Sequence, residues 1–162
     1  MLRTIFTLII SLFLMPMSAQ IGKLFDTDNQ LSSNFANQVL QDKRGFIWIA
    51  TRNGLNRYDG YNFTVMNSTD KNGNNINNYV NCMGQDHEGN IYLGTNNNLF
   101  IYDGYEFRKI PMLVNGKEIT TYIQYIYTRN NGDVLVCTSG FGLLRVIDKN
   151  KAESIGGVID QY

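Results

Sequence analysis

Two stretches of this chain repeat each other without a gap, and that repetition limits the fold more than any other feature. QDKRGFIWIATRNGLNRYDGYNF, inside a copy running from Leu31 to Met66, is matched by QDHEGNIYLGTNNNLFIYDGYEF, inside Ile76 to Ile110. Equivalent positions lie 44 residues apart: Asp42 and Asp86, Gly45 and Gly89, Trp48 and Tyr92, Thr51 and Thr95, Leu55 and Leu99, Asp59 and Asp103, Gly60 and Gly104, Phe63 and Phe107. A looser third copy runs from Ile119 to Ile155. Its Gly132, Leu135 and Thr138 follow their partners by 43, and one extra residue enters before Leu143. A period of this length marks an array of supersecondary units that bury their faces against one another.

Each copy reads as four short strands. In the first, Phe35–Gln41 leads through an Asp-Lys-Arg-Gly turn to Phe46–Thr51. Arg52, Asn53 and Gly54 then turn into Leu55–Tyr58, and Asp59-Gly60 turns into Tyr61–Met66. Asp-Gly between apolar runs is a strong hairpin signal, because the turn needs a positive φ that glycine adopts without steric cost. Phe46, Ile47, Trp48 and Ile49 are apolar on both alternating faces, which predicts a strand sandwiched between two neighbouring sheets. No helical periodicity of apolar residues survives beyond residue 19. The expected class is all-β: a partial β-propeller of about three four-stranded antiparallel blades.

The first nineteen residues stand apart. Arg3 supplies a basic tip, residues 5–15 are apolar except Thr7 and Ser11, and Pro16 to Ala19 end in small residues. That is the pattern of a cleavable secretory signal with its exit after Ala19, and the apolar run is short of the roughly 20 residues a spanning helix needs. The expected division is signal peptide 1–19, lead-in strand 20–30, blades 31–66, 67–110 and 111–155, and the start of a next segment at 156–162. The location is then periplasmic or secreted, with Gln20 as the first mature residue and no membrane span beyond the signal. The chain carries 14 Lys and Arg against 14 Asp and Glu, so it lacks the basic face that nucleic acid demands.

Several motifs together carry a family resemblance: Leu31-Ser32-Ser33-Asn34, Val39 to Asp42, Gly45 to Thr51 and Gly54 to Tyr61. They resemble the two-component regulator propeller repeat, which builds the extracytoplasmic sensor half of hybrid two-component regulators in gut Bacteroidetes. The second copy departs from it with Tyr92 for Trp and Asn98 for Gly. The third retains Gly132, Val134, Leu135, Val136 and Thr138, then Gly142 and Leu143. The resemblance covers about residues 23 to 148. It implies the opening blades of a seven-bladed propeller, an oligosaccharide as ligand, and the remaining blades or another protomer as partner. It implies neither nucleic acid nor cofactor as a partner of this region.

Most residues that suggest chemistry also have a structural reading. His87 aligns with Lys43 and reads as a turn residue. Asp42 and Asp86 recur once per blade before the turn glycine, as a cap for backbone N–H groups does. Asp70, Asn72 and Asn74 alternate oxygen donors as a calcium loop begins, but Asn75 stands where glycine belongs and Asn81 where a bidentate Glu would close it. Cys82 and Cys137 occupy non-equivalent positions, as small apolar thiols would. Trp48, Tyr58, Tyr61, Tyr92, Tyr102 and Tyr105 recur mainly at strand positions, which makes packing between blades the default for them.

The turns between second and third strands and the loops between blades do not repeat, and they open on one face. Variable polar loops on a rigid scaffold are where binding resides. On that ground Arg52, Asn53, Asn96, Asn97 and Phe141 are the candidate ligand contacts, supported by loops Asn67 to Asn75 and Pro111 to Lys117. Neither a catalytic residue nor a metal ligand is expected. Three functions compete: an oligosaccharide-sensing propeller fragment, a protein-interaction scaffold, and a propeller glycosidase or lyase. The last lacks a non-repeating acid and base pair.

Overall fold

The computed structural model describes residues 22–66 and 79–155. The first sheet contains β1 (Ala36–Gln41), β2 (Ile47–Thr51), β3 (Gly54–Tyr58) and β4 (Phe63–Met66). The second contains β5 (Val80–Gln85), β6 (Ile91–Thr95), β7 (Leu99–Tyr102) and β8 (Phe107–Ile110). After these come β9 (Met112–Val114), β10 (Lys117–Ile119), β11 (Ile123–Thr128), β12 (Val134–Thr138), β13 (Gly142–Ile147) and β14 (Lys151–Ser154). Sheets one and two are simple antiparallel meanders in chain order, and the three sheets meet through their first strands, β5 touching β1 and β11 touching β5. This is the stacking of propeller blades.

The repeat is visible in the backbone as well as in the residues. Each first strand carries one irregularity against its neighbour, at Ala36/Gln38, Val80/Cys82 and Ile123/Tyr125. A bulge re-aims side chains. Here the Asn37 amide donates to the Val80 carbonyl at 2.7 Å, and the Gln38 amide grips both backbone groups of Met83, at 2.6 and 3.2 Å. Two apolar cores follow from the stacking. Trp48, Ala50, Met83, Ile91, Leu93 and Phe100 fill the space between the first two sheets. Cys82, Tyr92, Ile101, Ile123, Ile126 and Val136 fill that between the second and third.

The double-sided burial expected of the second strand holds for β6, all of whose residues are buried, but only partly for β2. Trp48 and Ala50 of β2 face the second sheet, whereas Ile47 and Ile49 face away from it and are half-buried. The chain before β1 covers part of that outer face. Phe25 packs on Tyr58 and Phe63 at 5.2 and 5.1 Å between ring centres, and Ser32 bonds Asn56 and Thr51. This segment, expected as a strand, carries a 3-10 turn at Thr27–Asn29 instead. The opposite outer face, on the third sheet, leaves Tyr125, Tyr127 and Leu143 exposed.

Two further expectations need correction. Pro111 to Lys117 is not a polar loop. Met112–Val114 and Lys117–Ile119 form a hairpin, with Asn115 at φ 52° and Gly116 at φ 74° in its turn, and β9 joins β14 in parallel. The third sheet therefore has six strands, in the order β10-β9-β14-β13-β12-β11, not four. The loop Asn67 to Asn75, with its calcium-like start at Asp70, lies outside the described residues.

The Asp-Gly hairpins are also longer than expected. Tyr61 and Asn62 belong to the turn, not to β4, because the Asp59 carboxylate takes both of their N–H groups, at 2.8 and 2.7 Å. Asp103 does the same with Tyr105 and Glu106, at 2.9 and 2.9 Å. Tyr61 and Tyr105 consequently stand 86% and 96% exposed, so neither packs between blades. These hydrogen bonds lower the pKa of both carboxyl groups below the ordinary 3.8. A lowered folded pKa gives stability that is present above the unfolded value and lost as pH falls through the folded one. Titration followed by NMR at the carboxyl carbons should place both midpoints below 3.8; midpoints at or above it would contradict the turn geometry.

Candidate ligand-binding face

Each second strand ends in a threonine that closes the turn after it. The hydroxyls of Thr51, Thr95 and Thr138 donate to the carbonyls of Gly54, Asn98 and Gly142, at 2.8, 2.9 and 2.8 Å. Beside each threonine the first strand begins, since Thr51 opposes Ala36, Thr95 opposes Val80 and Thr138 opposes Ile123. The five candidate residues lie in these three turns and so share one end of the sheets.

Their surroundings differ. The Arg52 guanidinium lies 4.5 Å from the centre of the Phe35 ring and 5.9 Å from that of Tyr79, across the boundary between the first two sheets. Asn53 is largely consumed by the fold: its amide donates to the Ser32 carbonyl at 3.2 Å and its N–H to the Thr51 hydroxyl at 3.1 Å. Asn96 is half-buried. Asn97 is exposed, and its carbonyl accepts the Thr121 N–H at 3.1 Å, tying the second turn to the third sheet. Phe141, in the third turn, is 41% exposed. Arg52, Asn97 and Phe141 thus present side chains to solvent, and Asn53 serves mainly as a brace.

The sequence reading overlooked the aromatic residue just before each first strand. Phe35, Tyr79 and Tyr122 follow one another at 44 and 43 residues, the same spacing as the rest of the repeat. Phe35 is 60% and Tyr122 44% exposed. The Phe35 carbonyl accepts the Arg52 N–H at 3.1 Å, and the Tyr122 carbonyl accepts the Ser139 N–H at 2.9 Å, so ring and turn are fixed together. Their recurrence beside a variable turn was the available signal.

At the other end of the sheets the recurrent carboxylates are structural. One oxygen of Asp42 accepts the N–H groups of Arg44 and Phe46, both at 2.9 Å, and the other accepts the Trp48 indole N–H at 2.8 Å. Asp86 takes the N–H groups of Glu88 and Asn90 at 3.0 and 2.9 Å, then the Asn90 amide at 2.7 Å and the Tyr92 hydroxyl at 3.2 Å. Burial, with the Asp86 carboxylate beside it, pushes the Tyr92 hydroxyl pKa up, so the phenol stays a donor to that carboxylate. Every oxygen of these two carboxylates is occupied by a neighbour.

A cleft of about 380 Å³ opens here between the second and third sheets, lined by His87, Glu88, Asn131, Asp133, Asp148 and Lys149 among others. Lys149 pairs with Glu88 across it. His87 is exposed in its turn, with its ring over Gly132. Among the described residues no three His, Cys, Asp or Glu side chains are placed to hold a metal ion. Cys82 and Cys137 are free thiols, and burial pushes that of Cys82 up to about 12, which keeps it protonated.

Two stretches of the chain match a known family model. The model of the two component regulator propeller matches residues 30–53 and 74–97, the same half of the first two repeats. No curated protein matches. Among solved structures, the chain is similar to an extracellular domain assigned to the hybrid two component system BT3049 of B. thetaiotaomicron. The identity is 23% and the TM-score 0.64, over 84% of this chain and 19% of that one. An extracellular domain assigned to the one component system BT4673 of the same organism shows 19% identity and a TM-score of 0.63, over 84% and 21%. PorZ, a surface component of the type-IX secretion system of Porphyromonas gingivalis, shows 15% identity and a TM-score of 0.59, over 75% and 21%. The likeness at these identities is one of fold, and this chain spans about a fifth of each of those proteins. Two stretches of this chain, residues 30–53 and 74–97, are thus repeats of the two component regulator propeller type.

Proposed function

We propose that this chain is part of an extracytoplasmic ligand-sensing propeller of a hybrid two-component signalling protein, and that its ligand is an oligosaccharide. The observation that carries the reading is the contrast between the two ends of the blades. At one end the recurrent polar groups are spent on their own turns, whereas at the other Arg52, Asn97 and Phe141 face solvent and the Arg52 position changes to Asn96 and Ser139 in the next two turns. Sensing needs a rigid frame with a few adaptable polar groups and does not need an acid and a base. The solved extracellular domains of similar fold agree with a site outside the inner membrane, as does the apolar segment at residues 5–15.

A glycan array probed with the purified chain, followed by calorimetry on any hit, tests this. We expect retention of one class of oligosaccharide without release of reducing ends. Steady release of reducing ends would make the protein a glycosidase or lyase. Retention of no glycan would overturn sensing of a saccharide. The exposed Tyr125, Tyr127 and Leu143 support a second, compatible role as a scaffold: the remaining blades of the same propeller, or another protomer, cover that face.

A further inference from the structure

We propose that Phe35, Tyr79 and Tyr122, with Arg52 set between the first two, form a rim that binds a sugar ring bearing an acidic group, a carboxylate or a sulfate ester. The proposal rests on the saccharide reading above and specifies where on the chain the ligand sits and what chemistry selects it.

The three aromatics sit at the start of the first strands, and it is through those strands that the sheets meet. Three successive positions of the repeat are therefore brought to the narrow inner end of the fan. The rings that build the two cores are buried: Trp48, Tyr92, Tyr102 and Phe107 are all inside. Phe35 and Tyr122 serve no core, yet the repeat places an aromatic there each time. An aromatic face carries partial negative charge and receives the C–H face of a pyranose or a cation.

Arg52 supplies the selectivity. Its two ring contacts hold the guanidinium in place, and among the described residues no carboxylate pairs with it. Its equivalents in the next two turns, Asn96 and Ser139, are uncharged, so among these three turns Arg52 is the one that carries a cation. A guanidinium is a planar fork of N–H donors that matches a carboxylate or a sulfate with two parallel hydrogen bonds. Stacking between rings lowers the entropy lost when the fork engages an anion. A neutral sugar would gain the stacking and forgo the paired charge.

The test is calorimetry on the full chain with a panel of oligosaccharides in three arms: uronate-bearing, sulfate-bearing and neutral. Acidic members should bind more tightly than neutral ones, and more weakly as salt rises, because a half-exposed charge pair is screened. The uronate and sulfate arms tell which anion is preferred. Arg52→Gln should weaken the acidic ligand by about tenfold or more, the equivalent of one charge-assisted hydrogen bond, and leave neutral binding within about twofold. Arg52→Lys, which retains the charge without the fork, should fall between. Tyr122→Ala should weaken both kinds of ligand while the melting temperature stays put, since that ring packs in no core. Binding of saccharides that none of these substitutions alters would overturn the rim and leave the sensing reading intact. Equal affinity for acidic and neutral members would remove Arg52 from the site. Binding of no saccharide at all would take both readings down together.

Discussion

Gly94→Val should cost about 3 kcal/mol or more and separate the second sheet from the third, the range expected where an added side chain cannot be accommodated. Gly94 lies in β6 facing β11. A Cβ there would stand 2.5 Å from the Cys82 sulfur and 2.6 and 2.9 Å from Ile123 side-chain atoms. Both neighbours are buried, Ile123 completely, so neither has room to withdraw. Gly84 is in the same position opposite Ile126, whose Cγ2 would be 2.6 Å from a new Cβ. Their equivalents in the first sheet are Ala50 and Leu40, where the fit tolerates a side chain. Urea unfolding followed by tryptophan emission and far-ultraviolet circular dichroism measures the effect. A Gly94→Val protein within about 1 kcal/mol of the parent would mean that the third sheet is not seated as closely as described.

Trp48→Ala should be of similar size, about 3–5 kcal/mol, the usual cost of emptying a buried tryptophan site. The side chain is fully buried, meets Tyr102 edge-on at 5.6 Å, and donates its indole N–H to Asp42. Alanine opens a cavity between the first two sheets and leaves one Asp42 oxygen without that donor. Trp48→Phe fills most of the cavity and still orphans the oxygen. Trp48→Tyr copies what the second repeat does, where the Tyr92 hydroxyl reaches Asp86 at 3.2 Å, and should be the mildest of the three. Chemical denaturation midpoints should rise in the order Ala, Phe, Tyr. A tyrosine as damaging as alanine would show that the two repeats are not interchangeable at this position.

The gapless match at 44 residues made much of this fold readable, because identical spacing demands identical strand register in the first two sheets. What escaped reading was set by side chains that capture backbone groups. Nothing in a hydrophobic pattern shows that Asp59 takes the N–H groups of Tyr61 and Asn62, yet that capture moves Tyr61 out of β4. Asn115-Gly116 between short apolar runs signals a tight hairpin, but it lies between the repeats, where the 44-residue spacing says nothing about strands. Gly94 in mid-strand also signals a close approach of another backbone or side chain. Phe25 belongs to no repeat, so its seat on Tyr58 and Phe63 had no pattern to announce it. At the candidate face, the location of Arg52 in a variable turn was readable, but its place between Phe35 and Tyr79 depends on how adjacent sheets stack.

The hairpin grafted onto the third sheet changes how the rim of the molecule meets other chains. In the first two sheets the outermost strands, β4 and β8, have a hydrogen-bonded neighbour on one side only among the described residues. In the third, β14 is enclosed by β13 and β9, and the free edge falls to β10, only three residues long, with Lys117 and Glu118 on it. Glu118 is also tethered back to Lys109 of β8 at 2.8 Å. A foreign strand seeking to extend a sheet finds a short, charged border there. A sheet-extending strand is therefore excluded from the third blade by the same hairpin that lengthens it.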